Sequence, residues 1–409
     1  MDENIVVGLD IGTTKVCAVV GQREEAGRLE VIGLGTAPSA GLRKGVVVNI
    51  DATVDAIRKA VEEAELMAGL EISDVYVGIA GGHIEGINSR GVIAVSGRSR
   101  EIGRSDVDRV IDAARAVRIP GDREVIHVLP QEFIVDDQEG IKDPIGMCGV
   151  RLEAEIHIVT GAVTSSQNIV RSVHRAGLGV NDIVLQPLAS ANAVLNEDEK
   201  EMGCVLIDIG GGTTDVIMYV DGAIWHTGVL AIGGNNVTND LTVGLRTPNQ
   251  SAEIIKRKHG CAMRSMIIPT EMVEVPGVGG RAPRKVARTF LAEVIQPRME
   301  EILSLVAREI KMTGYDELVS AGVVITGGAA RLEAIAEVAE NVFNMPVRVG
   351  IPSRVSGLSD MVSSPEFATA VGLNLYGMMD SDRTARASGE GNVLRQLSRK
   401  VKGWFGEFF

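Results

Sequence analysis

The sequence has few of the residues that mark metal, redox or membrane-spanning proteins. It contains 4 cysteines, which are scattered, with no CxxC pair and no histidine cluster near them. This spacing favours reduced structural thiols in a reducing cytoplasm over a metal or redox site. No stretch approaches the roughly 20 apolar residues that a spanning helix needs. The acidic start MDENIVVGLDIG leads directly into a strand pattern and does not resemble a signal peptide.

Aromatic residues and positive charge are also scarce. Phe, Trp and Tyr make up 3% of the chain, and the net charge is −13. This charge repels nucleic acid, so no nucleic-acid partner is expected. Both scarce features nevertheless occur together in VLRQLSRKVKGWFGEFF, residues 393–409, where four bases are followed by four large aromatic residues.

The segment 393–409 has the pattern of an amphipathic helix. At about 100° per residue, its large apolar side chains, except Phe409, fall in one arc and its bases outside that arc, as in helices that lie in a membrane interface. The preceding residues 380–392, DSDRTARASGEGN, are small and polar and predict a flexible tether. A helix docked on the protein's own core is the alternative. The predicted lipid-facing residues are Val393, Leu394, Leu397, Val401, Trp404, Phe405 and Phe408.

The strongest internal signal is a repeated hairpin. IVVGLDIGTTKVCAVVG, residues 5–21, and VLIDIGGGTTDVIMYV, residues 205–220, both read as apolar strand, Asp, glycine turn, two threonines and a second strand. Backbone N–H groups of such turns cradle phosphate oxygens, and hydroxyls and a lysine add donors. One copy alone could be a tight hairpin, but two copies favour a phosphate site. The predicted residues are Gly12, Thr13, Thr14, Lys15, Gly210, Gly211, Gly212, Thr213 and Thr214.

An aspartate ends the first strand of each repeat. Asp10 and Asp208 stand directly before the glycine turns. Because magnesium in proteins keeps several of its waters, these carboxylates are suited to hold Mg²⁺ through its water shell beside a bound phosphate. Asp215 closes the second loop.

A third glycine turn follows a third apolar strand in GVVITGGAARLEAIAEVAE, residues 322–340. The pattern predicts a strand, Thr-Gly-Gly and an amphipathic helix, whose N-terminus would be a seat for an anion or a nucleotide. It fits neither the Walker A pattern nor GxGxxG. An ordinary strand-to-helix turn is the alternative.

In this order, the elements resemble the actin, hexokinase and heat-shock chaperone ATPase superfamily. GLDIGTTK and LIDIGGGTTD match its phosphate loops, and VITGGAARL matches its adenosine motif. QPLASANAVL, 186–195, and PEFATAVGLNLYG, 365–377, look like its two connecting helices. The resemblance implies an α/β, actin-like two-domain ATPase fold around a nucleotide cleft, with ATP and Mg²⁺ as cofactors.

Transferred residue by residue, the resemblance implies further roles. Asp10 and Asp208 would be the metal-side carboxylates, and Gln186 would orient an attacking water as the catalytic residue. SAEIIKRKHG, 251–260, resembles the helix that holds adenosine, here through Glu253 and Lys256, although such a pair is also common on a solvated helix face. The glycines that would lie against the nucleotide are Gly327 and Gly328. The motifs leave the rate of ATP hydrolysis open, from none to slow.

Within the superfamily, the chain resembles the FtsA family of bacterial cell-division proteins. The stretches that carry this likeness are AGLRKGVVVNIDATVDAIRKAVEEAE (40–65), YVGIAGGHIEGINSRGVIAVSG (76–97), EIGRSDVDRVIDAARAV (101–117) and the span 125–161. The resemblance implies subdomain 1A at 1–83 and 162–195, a 1C insert at 84–161, 2A at 196–230 and 304–379, 2B at 231–303, a linker at 380–392 and the amphipathic helix at 393–409. In the insert, the spacing predicts one helix, Asp106–Val117, with an apolar face of Val107, Val110, Ile111, Ala114 and Val117.

The FtsA resemblance also implies partners. The protein would bind ATP, self-associate into filaments and tether FtsZ to the inner face of the cytoplasmic membrane at the division site, with the insert contacting later division proteins. The acidic-apolar FtsZ C-terminal peptide would bind a basic run that opens a helix within 277–303. This run is Arg281, Arg284, Lys285 and Arg288, followed by an apolar face of Phe290, Leu291, Val294 and Ile295. A pilus-assembly actin-like scaffold and a small-molecule kinase are the alternatives.

Overall fold

The computed structural model describes residues 4–24, 28–97 and 99–389. Strands and helices are numbered along the chain. The strands are β1 (Ile5–Ile11), β2 (Lys15–Arg23), β3 (Leu29–Pro38), β4 (Leu42–Arg43), β5 (Val46–Val47), β6 (Asp74–Ile79), β7 (Glu85–Ala94), β8 (Arg123–Val135), β9 (Gln138–Ile141), β10 (Arg151–Ala162), β11 (Gly179–Leu185), β12 (Cys204–Ile209), β13 (Thr214–Val220), β14 (Ala223–Leu230), β15 (Met272–Val275), β16 (Arg284–Ala287), β17 (Gly322–Thr326), β18 (Val347–Val349) and β19 (Val355–Gly357). The helices are α1 (Ile50–Ala68), α2 (Arg104–Arg115), α3 (Val163–Ala176), α4 (Gln186–Val194), α5 (Glu197–Met202), α6 (Gly234–Leu245), α7 (Asn249–His259), α8 (Arg288–Thr313), α9 (Ile335–Phe343), α10 (Ser359–Val362) and α11 (Ala368–Gly389).

The first lobe is built on a sheet with the strand order β11-β6-β1-β2-β3-β19. Strands β1, β2 and β3 are consecutive and antiparallel, whereas β6 and β11 join in parallel. The strand IVVGLDI is apolar at nearly every position, as expected for a strand that is covered on both faces. Helices α1 and α11 pack on this sheet. Helix α1 is capped by the side chain of Asn49 and ends at Gly69 in the left-handed conformation.

The second lobe repeats this topology. Its sheet has the order β14-β13-β12-β17-β18, with β12, β13 and β14 antiparallel and β17 and β18 joined in parallel. In both lobes, two parallel strands stand beside the first strand of an antiparallel hairpin, and a third antiparallel strand follows that hairpin. The repeat that the sequence predicts for one hairpin therefore extends over five strands of each lobe.

The insert has a sheet and a core of its own. Strands β7, β10, β8 and β9 form a four-stranded sheet that packs on α2. The predicted helix is present but runs from Arg104 to Arg115. The placement of Val117 on its apolar face is wrong, because the helix ends before this residue and its side chain is 38% exposed.

The insert contacts the second lobe along its edge strand β14. The Gln131 amide donates to the Ile224 carbonyl at 3.0 Å, and the Asn88 amide donates to the Trp225 carbonyl at 3.2 Å. His157 lies between Asn88 and Thr227, with its ring nitrogens 2.6 Å and 2.8 Å from their side-chain oxygens. These polar contacts hold the insert against a sheet to which it is not connected in sequence.

The two connecting helices of the sequence resemblance are α4 and α11, preceded in the second case by a short turn at Pro365–Phe367. Helix α11 continues to Gly389, so residues 380–389 are helical where a flexible linker is predicted. These residues contain no proline, and their first glycine is the last residue of the helix, so nothing in the sequence interrupts it earlier. The boundary predicted at 303/304 falls inside α8.

The amphipathic helix predicted at 393–409 lies outside the described residues, as do residues 390–392. Among the helices that the structure describes, none has the length and apolar character needed to cross a bilayer.

Two buried histidines predict that stability falls in acid. Burial lowers the pKa of both His127 and His157 to about 4. The folded protein keeps both rings neutral, whereas the unfolded chain takes up protons below a pH of about 6.5. The contribution of these two histidines to the free energy of unfolding is therefore fully present above pH 6.5 and is lost as the pH falls toward 4. Each histidine should lower the free energy of unfolding by about 2 kcal/mol between pH 7 and pH 5.

Urea unfolding at pH 7 and pH 5 measures this effect. His157→Gln should lose part of the pH dependence, because glutamine does not titrate. His174→Gln, at an exposed position, is the matched control and should behave as the wild type. An unchanged pH dependence in His157→Gln would contradict the assignment.

Candidate nucleotide-binding site

The two glycine turns have the same closing hydrogen bond. The Gly12 N–H donates to the Lys15 carbonyl and the Gly210 N–H donates to the Thr213 carbonyl, both at 2.9 Å. This corrects one detail of the phosphate prediction, because the N–H of Gly12 closes its own turn and is not free for a ligand. Phosphate binding would fall instead to the amides nearer the tips of the turns, and to the threonine hydroxyls.

The tips of the two turns touch across the space between the lobes. A Cβ on Gly211 would lie 2.4 Å from Thr14 Cγ2, and a Cβ on Gly212 would lie 2.6 Å from Thr13 Oγ1. Any larger side chain would push the turns apart, so glycine is required by this close approach. Both turns line a cleft of about 1110 Å³, which is large enough for a small-molecule ligand.

Lys15 joins the first turn to the start of the second connecting helix. Its Nζ donates to the Glu366 carbonyl at 2.9 Å and lies 4.0 Å from the centre of the Phe367 ring, a cation–π contact. The Glu366 carboxylate accepts a hydrogen bond from Arg331. The lysine that the sequence assigns to phosphate thus also links the first turn to the residues before α11.

Asp10 and Asp208 line the cleft, Asp10 half-buried and Asp208 buried. Asp10 accepts a hydrogen bond from Gln186 Nε2 at 3.0 Å. Asp208 accepts from Ser190 Oγ at 2.6 Å and from Thr369 Oγ1 at 3.2 Å. Burial raises the pKa of Asp10 to about 7, although the nearby Lys15 ammonium lowers it. Burial also raises the pKa of Asp208, in spite of its two hydroxyl donors.

Asp215 is a third carboxylate of the cleft and is buried. It lies opposite Asp208 in the second hairpin, where the first hairpin has Cys17 opposite Asp10. Thr213 Oγ1 donates to it at 3.2 Å, and its Oδ1 is buried with no hydrogen-bond partner among the described residues. Burial, together with the charge of Asp208, raises the pKa of Asp215 well above its usual range. Sequence reasoning gave Asp215 no role, although an acid within the apolar strand TDVIMYV was the available signal.

These carboxylates fit a hydrated divalent cation. In the part of the chain that the structure describes, no three His, Cys, Asp or Glu side chains are placed to hold a metal ion directly. Mg²⁺ usually keeps several waters and uses only one or two carboxylates. Asp10 and Asp208 would hold such an ion through its waters, and the unpartnered oxygen of Asp215 would accept a hydrogen bond from one of them.

The adenosine side of the predicted site is formed by α6 and α7. Lys256 Nζ donates to the Gly234 carbonyl at 3.0 Å and to Thr238 Oγ1 at 2.8 Å, and it forms an ion pair with Glu253 at 2.7 Å. Glu253 also accepts a hydrogen bond from Thr238. Burial lowers the pKa of Lys256, while Glu253 raises it. The two residues are therefore part of one network on the cleft wall rather than a solvated pair.

The third glycine turn also reaches the cleft, but without a helix directly behind it. Gly327 has a φ of 88°, and a Cβ there would lie 2.3 Å from Asp208 Oδ1. A short 3-10 turn, Gly328–Arg331, follows, and α9 begins only at Ile335. The predicted anion seat at a helix N-terminus is therefore wrong, since the left-handed Ala334 separates the turn from the helix.

The structure brings nearly all the predicted nucleotide residues together. Thr214 is the exception, because its buried hydroxyl donates to the Ile232 carbonyl and its side chain does not line the cleft. The predicted residues that do line it are Asp10, Gly12, Thr13, Thr14, Lys15, Gln186, Asp208, Gly210, Gly211, Gly212, Thr213, Glu253, Lys256, Gly327 and Gly328. Sequence reasoning missed Ser190 and Thr369, which donate to Asp208, and Thr238, which bonds Glu253 and Lys256.

Three of the four bases predicted to bind FtsZ are exposed, and the fourth, Arg288, is half-buried. Arg281, Arg284 and Lys285 are exposed, the last two on strand β16, so the helix opens only with Arg288. The Arg288 side chain is 15% exposed and pairs with Glu271 and Glu333. Arg288 thus has internal partners for its charge. On the helix, Leu291 and Ile295 are buried, Val294 is half-buried, and Phe290 is 37% exposed, so the predicted apolar face is mostly part of the core.

The fold and the cleft define an actin-like protein. Two lobes of the same sheet topology each contribute a glycine turn, and two connecting helices cross between them. Among solved structures, the PilM-PilN type IV pilus biogenesis complex shares this fold with a TM-score of 0.66 and 16% identity, covering 91% of this chain and 98% of that chain. MreB5 of Spiroplasma citri bound to ADP has a TM-score of 0.58 and 14% identity, covering 94% and 99%.

Sequence comparison identifies the family within this class. The family model "Cell division protein FtsA" matches residues 205–372, and the model "SHS2 domain inserted in FTSA" matches residues 81–160. The cell division protein FtsA of Pseudomonas aeruginosa is 49% identical over 411 residues, or 98% of each chain. This chain belongs to the FtsA family of cell division proteins. The resemblance noted in the sequence is confirmed.

The raised pKa of Asp10 predicts that its charge destabilises the ligand-free protein. Because the folded pKa of about 7 lies above the usual value of 3.8, stability falls as the pH rises between these values. At pH 8 the full penalty is about 4 kcal/mol. Asp10→Asn keeps an oxygen for Gln186 and removes the charge, so it should raise the free energy of unfolding by about 2–4 kcal/mol at pH 8, and by less at pH 5.

Urea unfolding without metal or nucleotide tests this expectation. Asp51→Asn removes an exposed carboxylate that pairs with Arg175 and is the matched control, with no gain expected. A stability of Asp10→Asn equal to or below that of the wild type at pH 8 would contradict the burial argument.

Proposed function

We propose that this chain is an ATP-binding adaptor of cell division. It binds ATP with Mg²⁺ in the cleft, self-associates into filaments, and tethers FtsZ to the inner face of the cytoplasmic membrane at the division site. Membership of the FtsA family supports the role in division. The observation that supports the nucleotide part is the contact between the turns, Gly211 and Gly212 against Thr14 and Thr13, since it brings the two glycine turns together at one place in the cleft.

In this proposal each wall of the cleft has a separate task. The tips of the two turns and Lys15 bind the phosphates, while Glu253 and Lys256 hold the adenosine. Mg²⁺, when bound, neutralises phosphate charge. Gln186, the first residue of α4, already bonds Asp10 and is placed to orient a water for slow hydrolysis. ATP acts mainly as a switch, because its binding bridges the two lobes and favours the conformation that polymerises.

The surface bases of the second lobe are proposed to receive the FtsZ tail. Arg281 and Lys285 are exposed, and Lys285 lies on the two-stranded sheet β15-β16. Exposed apolar side chains occur nearby in the sequence, including Met272, Val278 and Phe290. An acidic-apolar peptide needs both kinds of group. The insert, residues 84–161, is proposed to contact later division proteins.

The membrane anchor is proposed to be the segment 393–409. Support for it comes from the sequence, since one helical face is apolar and aromatic and the other is basic. Helix α11 ends at Gly389, only a few residues before this segment begins. Filaments would strengthen binding, because many weak anchors act together.

The two alternatives have less support. A pilus-assembly scaffold would share the fold, but that likeness is at 16% identity, whereas the FtsA relative is 49% identical over almost the whole chain. A small-molecule kinase would transfer phosphate to an acceptor. Steady ATP turnover that depends on a sugar or carboxylate would decide for the kinase.

Co-sedimentation with anionic vesicles, ATP and FtsZ tests the adaptor proposal. The full chain should pellet with the vesicles and carry FtsZ with it. A chain that ends at Gly389, which keeps α11, should do neither, because it lacks the anchor. Vesicle binding without FtsZ would leave the anchor standing and reject the adaptor role. Failure of the full chain to bind vesicles would reject the anchor.

Substitutions should distinguish the role of the exposed bases, which is peptide binding, from the role of Arg288, which is stability. Arg281→Glu with Lys285→Glu should weaken binding of the FtsZ C-terminal peptide about tenfold or more without changing the melting temperature, since rim charges act through electrostatic complementarity. Arg288→Ala should lower the free energy of unfolding by about 1–2 kcal/mol, because Glu271 and Glu333 lose their partner.

Fluorescence anisotropy with a labelled peptide, together with thermal unfolding, measures both effects. Lys59→Glu, at an exposed position on α1, provides a control for charge reversal at a surface away from the basic run. Equal peptide binding by the double variant and the wild type would show that the FtsZ site lies elsewhere.

A further inference from the structure

His127 belongs to the insert but makes its polar contact outside the insert. It lies on β8 and is 8% exposed. Its Nε2 accepts a hydrogen bond from the Leu185 N–H at 3.0 Å. Burial lowers the pKa of His127 to about 4, so the ring is neutral near pH 7. Because Nε2 is the acceptor, the proton of the neutral ring is on Nδ1.

The amide that His127 holds is part of an edge strand. Leu185 is the last residue of β11, which is the outermost strand of the first sheet. The outward N–H groups of an edge strand have no strand partner, and a buried N–H needs an acceptor. The insert supplies this acceptor at the point where β11 ends and the first connecting helix begins.

The next residue along the chain reaches the cleft. Gln186 is the first residue of α4, and its Nε2 donates to Asp10 Oδ1 at 3.0 Å. On its other side, Gln186 packs against Gly78, where a Cβ would lie 3.0 Å from Gln186 Cγ. Leu185, whose amide is bonded by the insert, is therefore the direct neighbour of Gln186, whose side chain bonds the predicted metal-side carboxylate Asp10.

The His127 ring also contacts the second connecting helix. Its centroid lies 6.0 Å from that of Tyr376 on α11, with an angle of 63° between the ring planes. The Tyr376 hydroxyl donates to Asp182 of β11 at 3.2 Å, and its ring packs edge-on against Tyr76 of β6. One insert side chain thus touches the start of α4 and the middle of α11.

Other contacts of the insert reach the second lobe by a different route. Gln131 donates to the Ile224 carbonyl, and His157 bonds Thr227. Both partners lie on β14, away from α4 and α11. His157 is therefore a natural comparison, since it is also a buried histidine of the insert that bonds a residue outside it.

We propose that His127 is a positioning residue that couples the insert to the nucleotide cleft. By accepting the hydrogen bond of the Leu185 amide, it fixes the backbone from which the Gln186 side chain reaches Asp10. By packing on Tyr376, it is also in contact with α11. The inference rests on the proposed binding of nucleotide in the cleft. Because coupling between two sites is reciprocal, a protein partner bound to the insert and a nucleotide in the cleft would change each other's affinity by the same factor.

Hydrogen–deuterium exchange of the full chain, with and without Mg²⁺ and a non-hydrolysable ATP analogue, tests the coupling. In the wild type, the analogue should slow exchange in both turns and also in β8 of the insert. His127→Leu keeps the apolar bulk but removes the acceptor, so the response of β8 should be lost while that of the turns remains. His127→Gln should restore it, because the Gln side-chain oxygen reaches the position of Nε2. His157→Leu should retain both responses.

Each other outcome has a defined meaning. A response of β8 that persists in His127→Leu, or is lost equally in His157→Leu, would overturn the proposal. A wild type with protected turns but an unchanged β8 would also overturn it. Unprotected turns in the wild type would count against nucleotide binding itself, and the coupling would fall with it. If His127→Leu does not fold, His127→Asn replaces it, since its shorter side chain does not reach the Leu185 amide.

Discussion

The crossing of helices α4 and α11 is the contact on which the rest of the molecule depends. At Gly372 a Cβ would lie 1.8 Å from the Ala189 carbonyl oxygen, so the two backbones meet without side chains between them. Beside this crossing, Ser190 and Thr369 lie 3.0 Å apart and both donate to the same oxygen of Asp208. The two helices that join the lobes are thus both bonded to one carboxylate of the cleft, and a change in the charge around Asp208 acts on both of them.

The cleft concentrates negative charge that the fold alone does not neutralise. Asp208 and Asp215 are buried and Asp10 is half-buried, and each has a raised pKa. Such an arrangement costs stability in the absence of a ligand. In the proposed function, a bound cation would offset this cost. Lys15 adds a direct contact, since this residue of the first glycine turn donates to the Glu366 carbonyl just before α11.

Much of the site could be predicted from the sequence because its parts are local. A glycine turn between two apolar strands carries its geometry in consecutive residues, so both glycine turns and the aspartates before them lie where the sequence predicts them, while phosphate binding by these turns stays a prediction. Errors arose where a side chain's partner is distant in sequence. The hydroxyl of Thr214 donates to the carbonyl of Ile232, which lies beyond the end of β14, and Arg288 pairs with Glu333, 45 residues further along the chain. The linker prediction at 380–389 failed because small polar residues without proline also continue a helix that is already formed.

The sequence by itself determined the duplicated hairpins, the family and the order of the subdomain elements, because these are recorded in contiguous motifs and in hydrophobic periodicity. Only the tertiary structure decided which groups meet. It placed Gly211 against Thr14, directed Asp215 into the cleft with an unpartnered oxygen, and brought His127 of the insert onto the Leu185 amide. These pairings depend on how the sheets and the two connecting helices pack, and side chains far apart along the chain carry no local pattern that would reveal them.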